Sequence, residues 1–186
     1  MALALPVLAA LGVGLALGGR LGNLARLEFR MPWLFFAAIG LQLVAFPFPL
    51  FPWETGATTA SALWVASYGL LIGAAALNLR ITGVPIVTLG MLLNVVAILA
   101  NRGTMPVSPS AMRDAGESYA RNANSTAMER PRLSWLIDRW AAPDWIPLAN
   151  VFSIGDIVIA IGAVVIVLAA MDVRVPRILA RSDASI

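Results

Sequence analysis

The stretch Phe152-Ser153-Ile154-Gly155-Asp156-Ile157-Val158-Ile159-Ala160-Ile161-Gly162-Ala163-Val164-Val165-Ile166-Val167-Leu168-Ala169-Ala170 decides the class of fold. Ser153 and Asp156 stand at the spacing of a capping box, in which each side chain satisfies a backbone N–H of the first helical turn. The run that follows is uncharged and too long for a strand, so the spacing predicts a helix over 153–171. Residues 2–18, 32–46, 60–79 and 84–100 have the same apolar texture. Runs of this length fit the hydrocarbon layer of a bilayer. The reading is an all-α, polytopic membrane protein: one domain over 1–186 with about five transmembrane helices and a short amphipathic interfacial helix.

Composition agrees. The chain is 60% hydrophobic and 12% charged with a mean hydropathy of +0.84, whereas a soluble domain carries roughly 25% charged residues. It has no Cys, no His and no Lys, and all 13 basic residues are Arg. These absences exclude disulfides, thiolate nucleophiles, Cys-ligated clusters, imidazole general bases and Schiff-base lysines. No cofactor or metal is expected. The net charge is only +3 and the arginines are dispersed without interleaved aromatics, so nucleic acid is not an expected partner.

Pro32 and Pro85 occupy first helical turns, where a missing N–H costs nothing. The segment Pro47-Phe48-Pro49-Leu50-Phe51-Pro52-Trp53 cannot continue a helix and suits the headgroup interface. Gly14/Gly18 and Gly69/Gly73 are GxxxG pairs of the kind that let helices approach closely. The linker over 19–31 carries three arginines, the proline loop none, the turn after Asn78 one, and the tail from 172 three. Arginine favours the cytoplasmic side, which places the N-terminus outside and the C-terminus in the cytoplasm of a cell membrane.

The polar arm of 101–152 then lies outside. Residues 107–132 read as an exposed loop with room for one short helix, and Asn124-Ser125-Thr126 matches a glycosylation sequon by pattern. Leu133, Leu136, Ile137 and Trp140 recur at helical spacing with Asp138 and Arg139 opposite, which predicts a short amphipathic helix on the bilayer surface. Trp135, Trp140 and Trp145 reinforce that expectation.

Asn94, Asn101, Arg102 and Asp156 form the candidate polar site, with Ser153 as helix cap. Gly90, Asn94, Ala97 and Asn101 share one face of their helix, which should turn away from lipid. Asp156 lies about one turn inside the apolar run, and an intramembrane acid is a functional candidate by default. Arg102 is placed to pair with it. Gln42, Tyr68 and Asn78 are weaker candidates.

The turn Asn101-Arg102-Gly103-Thr104-Met105-Pro106-Val107-Ser108 and the re-entry Phe152-Ser153-Ile154-Gly155-Asp156 carry a resemblance. The chain resembles a bacterial family of small multi-pass membrane proteins labelled as a domain of unknown function. That resemblance implies a bacterial cytoplasmic membrane and assigns no activity. Three roles remain open. The first is a non-enzymatic accessory or assembly protein, in contact with the bilayer and with a membrane protein partner or a homo-oligomer. The second is a small oligomeric transporter or binder of a polar solute, ion or lipid headgroup. The third, a lipid-modifying enzyme with Asp156 as base, has least support, because no nucleophile–base pair stands at usable spacing.

Overall fold

The structure, a computed structural model, describes residues 4–46, 55–115, 125–142 and 151–173. The proline loop at 47–53, the arm segments 116–124 (with Ser118 and Asn124) and 143–150 (with Trp145), and the tail from 174 lie outside the described residues. The chain is mostly helical. In order come α1 (Ala4–Ala16), a 3-10 turn (Leu21–Arg26), α2 (Trp33–Ala45), α3 (Ala57–Leu77) and α4 (Val84–Ala100). The arm supplies β1 (Met105–Val107), α5 (Pro109–Asp114), β2 (Ser125–Ala127), β3 (Trp140–Ala141) and β4 (Val151–Phe152), and α6 (Ile154–Ala170) follows.

By length and composition α3, with 21 residues, is the described helix able to cross a membrane. The other apolar helices are shorter, and α4 and α6 have 17 residues each. At 1.5 Å per residue that is roughly 26 Å, a little under the hydrocarbon thickness.

The long helices pack as a row, in the order α1–α6–α4–α3–α2. A row has no closed interior, so each helix touches its neighbours along narrow seams and keeps its other faces open. Many buried residues of the seams are accordingly small, among them Ala38, Ala60, Ser67, Ala74, Ala75 and Ala97, with Val84, Met91 and Ile98 of α4 as larger ones. Large apolar side chains point outward on every long helix, among them Leu8, Phe36, Ile39, Leu77, Leu92, Leu99 and Ile161.

The tightest seam joins α4 to α6. A Cβ added at Gly90 would stand 2.6 Å from the Gly155 carbonyl, and one added at Gly83 would stand 2.6 Å from the Gly162 carbonyl. The two contacts pair residues with a constant index sum, so the helices run antiparallel with their backbones touching. Neither GxxxG pair acts as a pair within the chain. Gly14 packs on Met171, while Gly18 leaves the helix at φ +80°. A Cβ added at Gly69 or Gly73 would meet nothing within 4 Å outside its own helix backbone.

The arm differs from the expected loop. Its described part is folded over one end of the row. β1 pairs in parallel with β2, β3 pairs antiparallel with β4, and Val107 bridges to Asp138. Met105 and Leu136 pack onto Ala97 and Ile98 with Trp64 and Tyr68 beside them, and a second cluster joins Val107, Ala111, Ala115 and Val151. Ser108 caps α5 by accepting from the Ala111 N–H at 3.2 Å.

The amphipathic helix expected over 133–140 does not form. The segment is a succession of turns ending in β3, with Leu136, Ile137 and Asp138 buried and Leu133, Trp135 and Trp140 exposed. The apolar spacing fits a helix, but the main-chain groups are taken elsewhere. The Asp138 N–H donates to the Pro106 carbonyl at 3.0 Å, and the Asp138 carbonyl accepts from Ser108 at 2.9 Å. Pairing with β1 therefore wins over local helical hydrogen bonds.

The α4–α6 seam makes a prediction about glycine. Replacing Gly90 by Ala places the new methyl against the Gly155 carbonyl and the Ile159 backbone nitrogen, neither of which can move without shifting α6. Overpacking of this kind costs about 1–3 kcal/mol. Gly69→Ala, which meets nothing, should be neutral or slightly stabilising because Ala is the better helix former. Unfolding of both variants in detergent, followed by circular dichroism, checks the contrast.

Candidate functional site

The α4–α6 seam also carries the only charge described within the long helices, Asp156. Ser153 is extended at φ −105°, ψ 174°, and its hydroxyl accepts from the Asp156 N–H at 3.1 Å. The Asp156 Oδ2 accepts the Ser153 N–H at 2.9 Å, which completes the capping box. The carboxylate is thus held at the N-terminus of α6, where the helix dipole favours negative charge.

The second carboxylate oxygen faces α4. Asn94 Nδ2 donates to Asp156 Oδ1 at 2.9 Å. The Ser153 hydroxyl has one proton and two acceptors in reach, Asn94 Oδ1 at 2.9 Å and Asp156 Oδ2 at 3.0 Å. Asn94 and Ser153 are buried. The Asn94 carboxamide lies directly over Gly155, where a Cβ would overlap it. Glycine at 155 is therefore a condition for the Asn94–Asp156 bond. Tyr68, on α3, stands beside Asn94 with the carboxylates of Asp156 and Asp138 in its surroundings.

Of the candidate residues, Asn94, Ser153 and Asp156 come together. Asn101 and Arg102 do not join them. Asn101 is two helical turns beyond Asn94, roughly 10 Å along α4. Its carboxamide donates to the Ala97 carbonyl at 2.8 Å and to the Arg132 carbonyl at 3.0 Å, and accepts the Arg132 N–H at 2.9 Å. Arg102 is exposed at φ +61°, and no ion pair joins it to Asp156 among the described residues. The expected Arg102–Asp156 pairing fails because Asp156 is already engaged by the cap and by Asn94, below the level of the turn that carries Arg102.

Asn78, a weaker candidate from the sequence, repeats the Asn101 arrangement at the end of α3. It donates to the Ala74 carbonyl at 2.7 Å and to the Arg30 carbonyl at 3.0 Å, and accepts the Arg30 N–H at 2.7 Å. Both asparagines cap a helix C-terminus and clamp the backbone of an arginine in a distant segment. The signal was present in the sequence as Ala-x-x-x-Asn at the ends of two apolar runs, but the clamped partners are far away in the chain. Gln42 donates to Ser67 Oγ at 3.1 Å, a bond between α2 and α3.

Chemically, the cluster has its donors and acceptors spent on one another. Ser153 lacks a free base, and the carboxylate that stands beside it is receiving hydrogen bonds from the backbone and from Asn94. Among the described residues no group of three or more acidic side chains could hold a metal ion.

Residues 26–168 match the family of unknown function DUF5317. The chain belongs to that family. The match spans both clamps, the α4–α6 seam and the Asn94–Ser153–Asp156 cluster of this DUF5317 chain. No curated protein and no solved structure matches it.

The cluster predicts a charge-swap result. In Asp156→Asn, a carboxamide nitrogen or a lost acceptor meets Asn94 Nδ2, leaving a buried group unsatisfied at a cost of about 1–3 kcal/mol. The double variant Asn94→Asp/Asp156→Asn restores a donor opposite an acceptor and keeps an oxygen for the Ser153 N–H. It should recover more than half of the lost stability in thermal unfolding. No recovery would mean that the Asn94–Asp156 bond contributes nothing.

Proposed function

We propose that this DUF5317 chain is a multi-pass, non-enzymatic protein of a bacterial cytoplasmic membrane, acting as an accessory or assembly component. The single observation that carries this reading is the engagement of Asp156. Its two carboxylate oxygens are used by the Ser153 cap and by Asn94, which is the arrangement of a helix pin and not of a reactive group. Support for the membrane comes from the row of helices, whose outward faces carry Leu8, Phe36, Leu92, Leu99 and Ile161. A soluble chain would leave too much contiguous apolar surface in water.

In this reading five helices cross or enter the bilayer, with the N-terminus outside, the folded arm on the outer face and the C-terminus in the cytoplasm. Helices of 13 to 17 residues fit if their flanking segments finish the crossing or the bilayer thins locally. A partner protein or a second copy would cover part of the row.

One observation favours the second reading, a binder of a polar solute or headgroup beside Asn94. The indole Nε1 of Trp64 is buried without a hydrogen-bond partner among the described residues, one helical turn from Tyr68. A ligand carbonyl or phosphate oxygen accepting from that N–H would satisfy it. A Trp64→Phe variant distinguishes the two. The accessory reading expects unchanged or higher stability and unchanged cell phenotype, while the binder reading expects loss of phenotype at normal protein level.

Orientation has a direct test, since the chain has no native Cys. A cysteine at Ser134, exposed in the arm, should react with a membrane-impermeant maleimide in intact cells. A cysteine at Thr82, in the turn between α3 and α4, should react only after permeabilisation. Equal labelling of both positions in intact cells would overturn the topology.

A further inference from the structure

The two asparagine clamps hold more than a matching pair of hydrogen bonds. Arg30-Met31-Pro32-Trp33-Leu34 and Arg132-Leu133-Ser134-Trp135-Leu136 share Arg, Trp and Leu at the same spacing. In each, the residue after the clamped arginine takes the left-handed conformation, Met31 at φ +51° and Leu133 at φ +53°. That conformation is unfavourable for a non-glycine residue, so the clamp must impose it. The result is the same surface twice: an exposed arginine, an exposed apolar side chain, and an exposed tryptophan (Trp33 at 58%, Trp135 at 52%).

A second arginine follows each clamping asparagine within two residues, Arg80 after Asn78 and Arg102 after Asn101. All four arginines are exposed, and none has a carboxylate partner among the described residues. The short turn between α3 and α4 makes these helices antiparallel, so their C-terminal asparagines lie at opposite ends of the row.

We propose that the two clamps are lipid clasps, one at each membrane surface, that each hold the phosphate of an anionic phospholipid. The proposal rests on the multi-pass reading above. Charge complementarity selects the occupant. Two guanidinium groups without a carboxylate partner among the described residues have planar donor forks that suit a phosphate, while the adjoining Met31 or Leu133 and the tryptophan suit the boundary between headgroup and acyl chain. A merely interfacial arginine would not need its backbone fixed by a buried asparagine. Here the fixture sets arginine, apolar residue and indole in one repeated geometry.

The clamp bonds use the main chain of residues 30 and 132, so replacing those side chains leaves the fixture intact. The test uses the full chain purified in a neutral maltoside detergent. Phosphatidylglycerol, phosphatidylcholine or inorganic phosphate is added, and the thermal midpoint is read. Phosphatidylglycerol should raise the midpoint, with phosphatidylcholine giving a smaller rise and inorganic phosphate none. The variants Arg30→Gln/Arg80→Gln and Arg102→Gln/Arg132→Gln should each lose about half of the phosphatidylglycerol rise while keeping the midpoint in detergent alone. Equal rises with both lipids, an undiminished rise in both variants, or a rise with inorganic phosphate alone would overturn the clasps. Should a double variant fail to fold, the single variants Arg80→Gln and Arg102→Gln, both in exposed turns, serve the same comparison. Alkaline carbonate extraction of cell membranes separates the two levels of failure. A chain that stays in the membrane but shows no lipid preference overturns the clasps alone, whereas a chain released by carbonate overturns the multi-pass reading and the clasps together.

Discussion

Polar groups that leave water must find partners within the chain, and in this protein that requirement is concentrated where α4 touches α6. The Asp156 carboxylate cannot sit in an apolar seam unless both oxygens are satisfied. Ser153 supplies one set of bonds through the helix cap and Asn94 supplies the other from across the seam. The arrangement works only if the helices approach until their backbones meet, which Gly90 and Gly155 permit. Glycine, amide and acid are therefore one device. Remove the close approach and the acid loses its cross-helix donor; remove the acid and Asn94 loses its acceptor.

The rest of the fold follows from that pin and its two echoes. A single row of helices lacks the shared core that holds a closed bundle, so specificity of packing has to come from polar contacts along narrow seams. Asn94 and Asp156 fix α4 to α6, Gln42 and Ser67 join α2 to α3, and Asn78 and Asn101 tie the helix ends to the segments that run past them. Each contact contributes modestly, about a kcal/mol. Together they set register in a structure whose large apolar side chains mostly face outward. The arm uses the same economy of small pieces, with short strand pairs and two minor apolar clusters instead of one deep core.

Much of this was legible before the structure, because it depends on local rules. The capping box at Ser153 and Asp156, the helix over 84–100 with Pro85 in its first turn, and the common face of Gly90, Asn94, Ala97 and Asn101 follow from spacing alone. What the sequence hid depends on partners distant in the chain. The helical spacing of Leu133, Leu136, Ile137 and Trp140 was a real pattern, but the backbone of Asp138 is committed to Pro106 and Ser108, and local periodicity cannot report that. Arg102 and Asp156 attract each other on paper, yet the acid is engaged by Asn94 and the cap about two helical turns below. The glycine seam is half legible, since the face of Gly90 can be placed by spacing while nothing in the local pattern marks Gly155 as its partner. The two GxxxG pairs fit the pattern for close approach, yet the seam uses Gly83, Gly90, Gly155 and Gly162 instead.

The central claim is that Asn94 and Asp156 are hydrogen-bonded across α4 and α6. The most direct measurement is a solid-state NMR dipolar distance between the Asn94 side-chain nitrogen and the Asp156 carboxyl carbon in lipid bilayers. Uniform asparagine and aspartate labels provide the spins, and Asp156→Asn serves as the assignment control. The account predicts a coupling of hydrogen-bond range, consistent with the 2.9 Å nitrogen–oxygen separation. A pair too far apart to couple would contradict it.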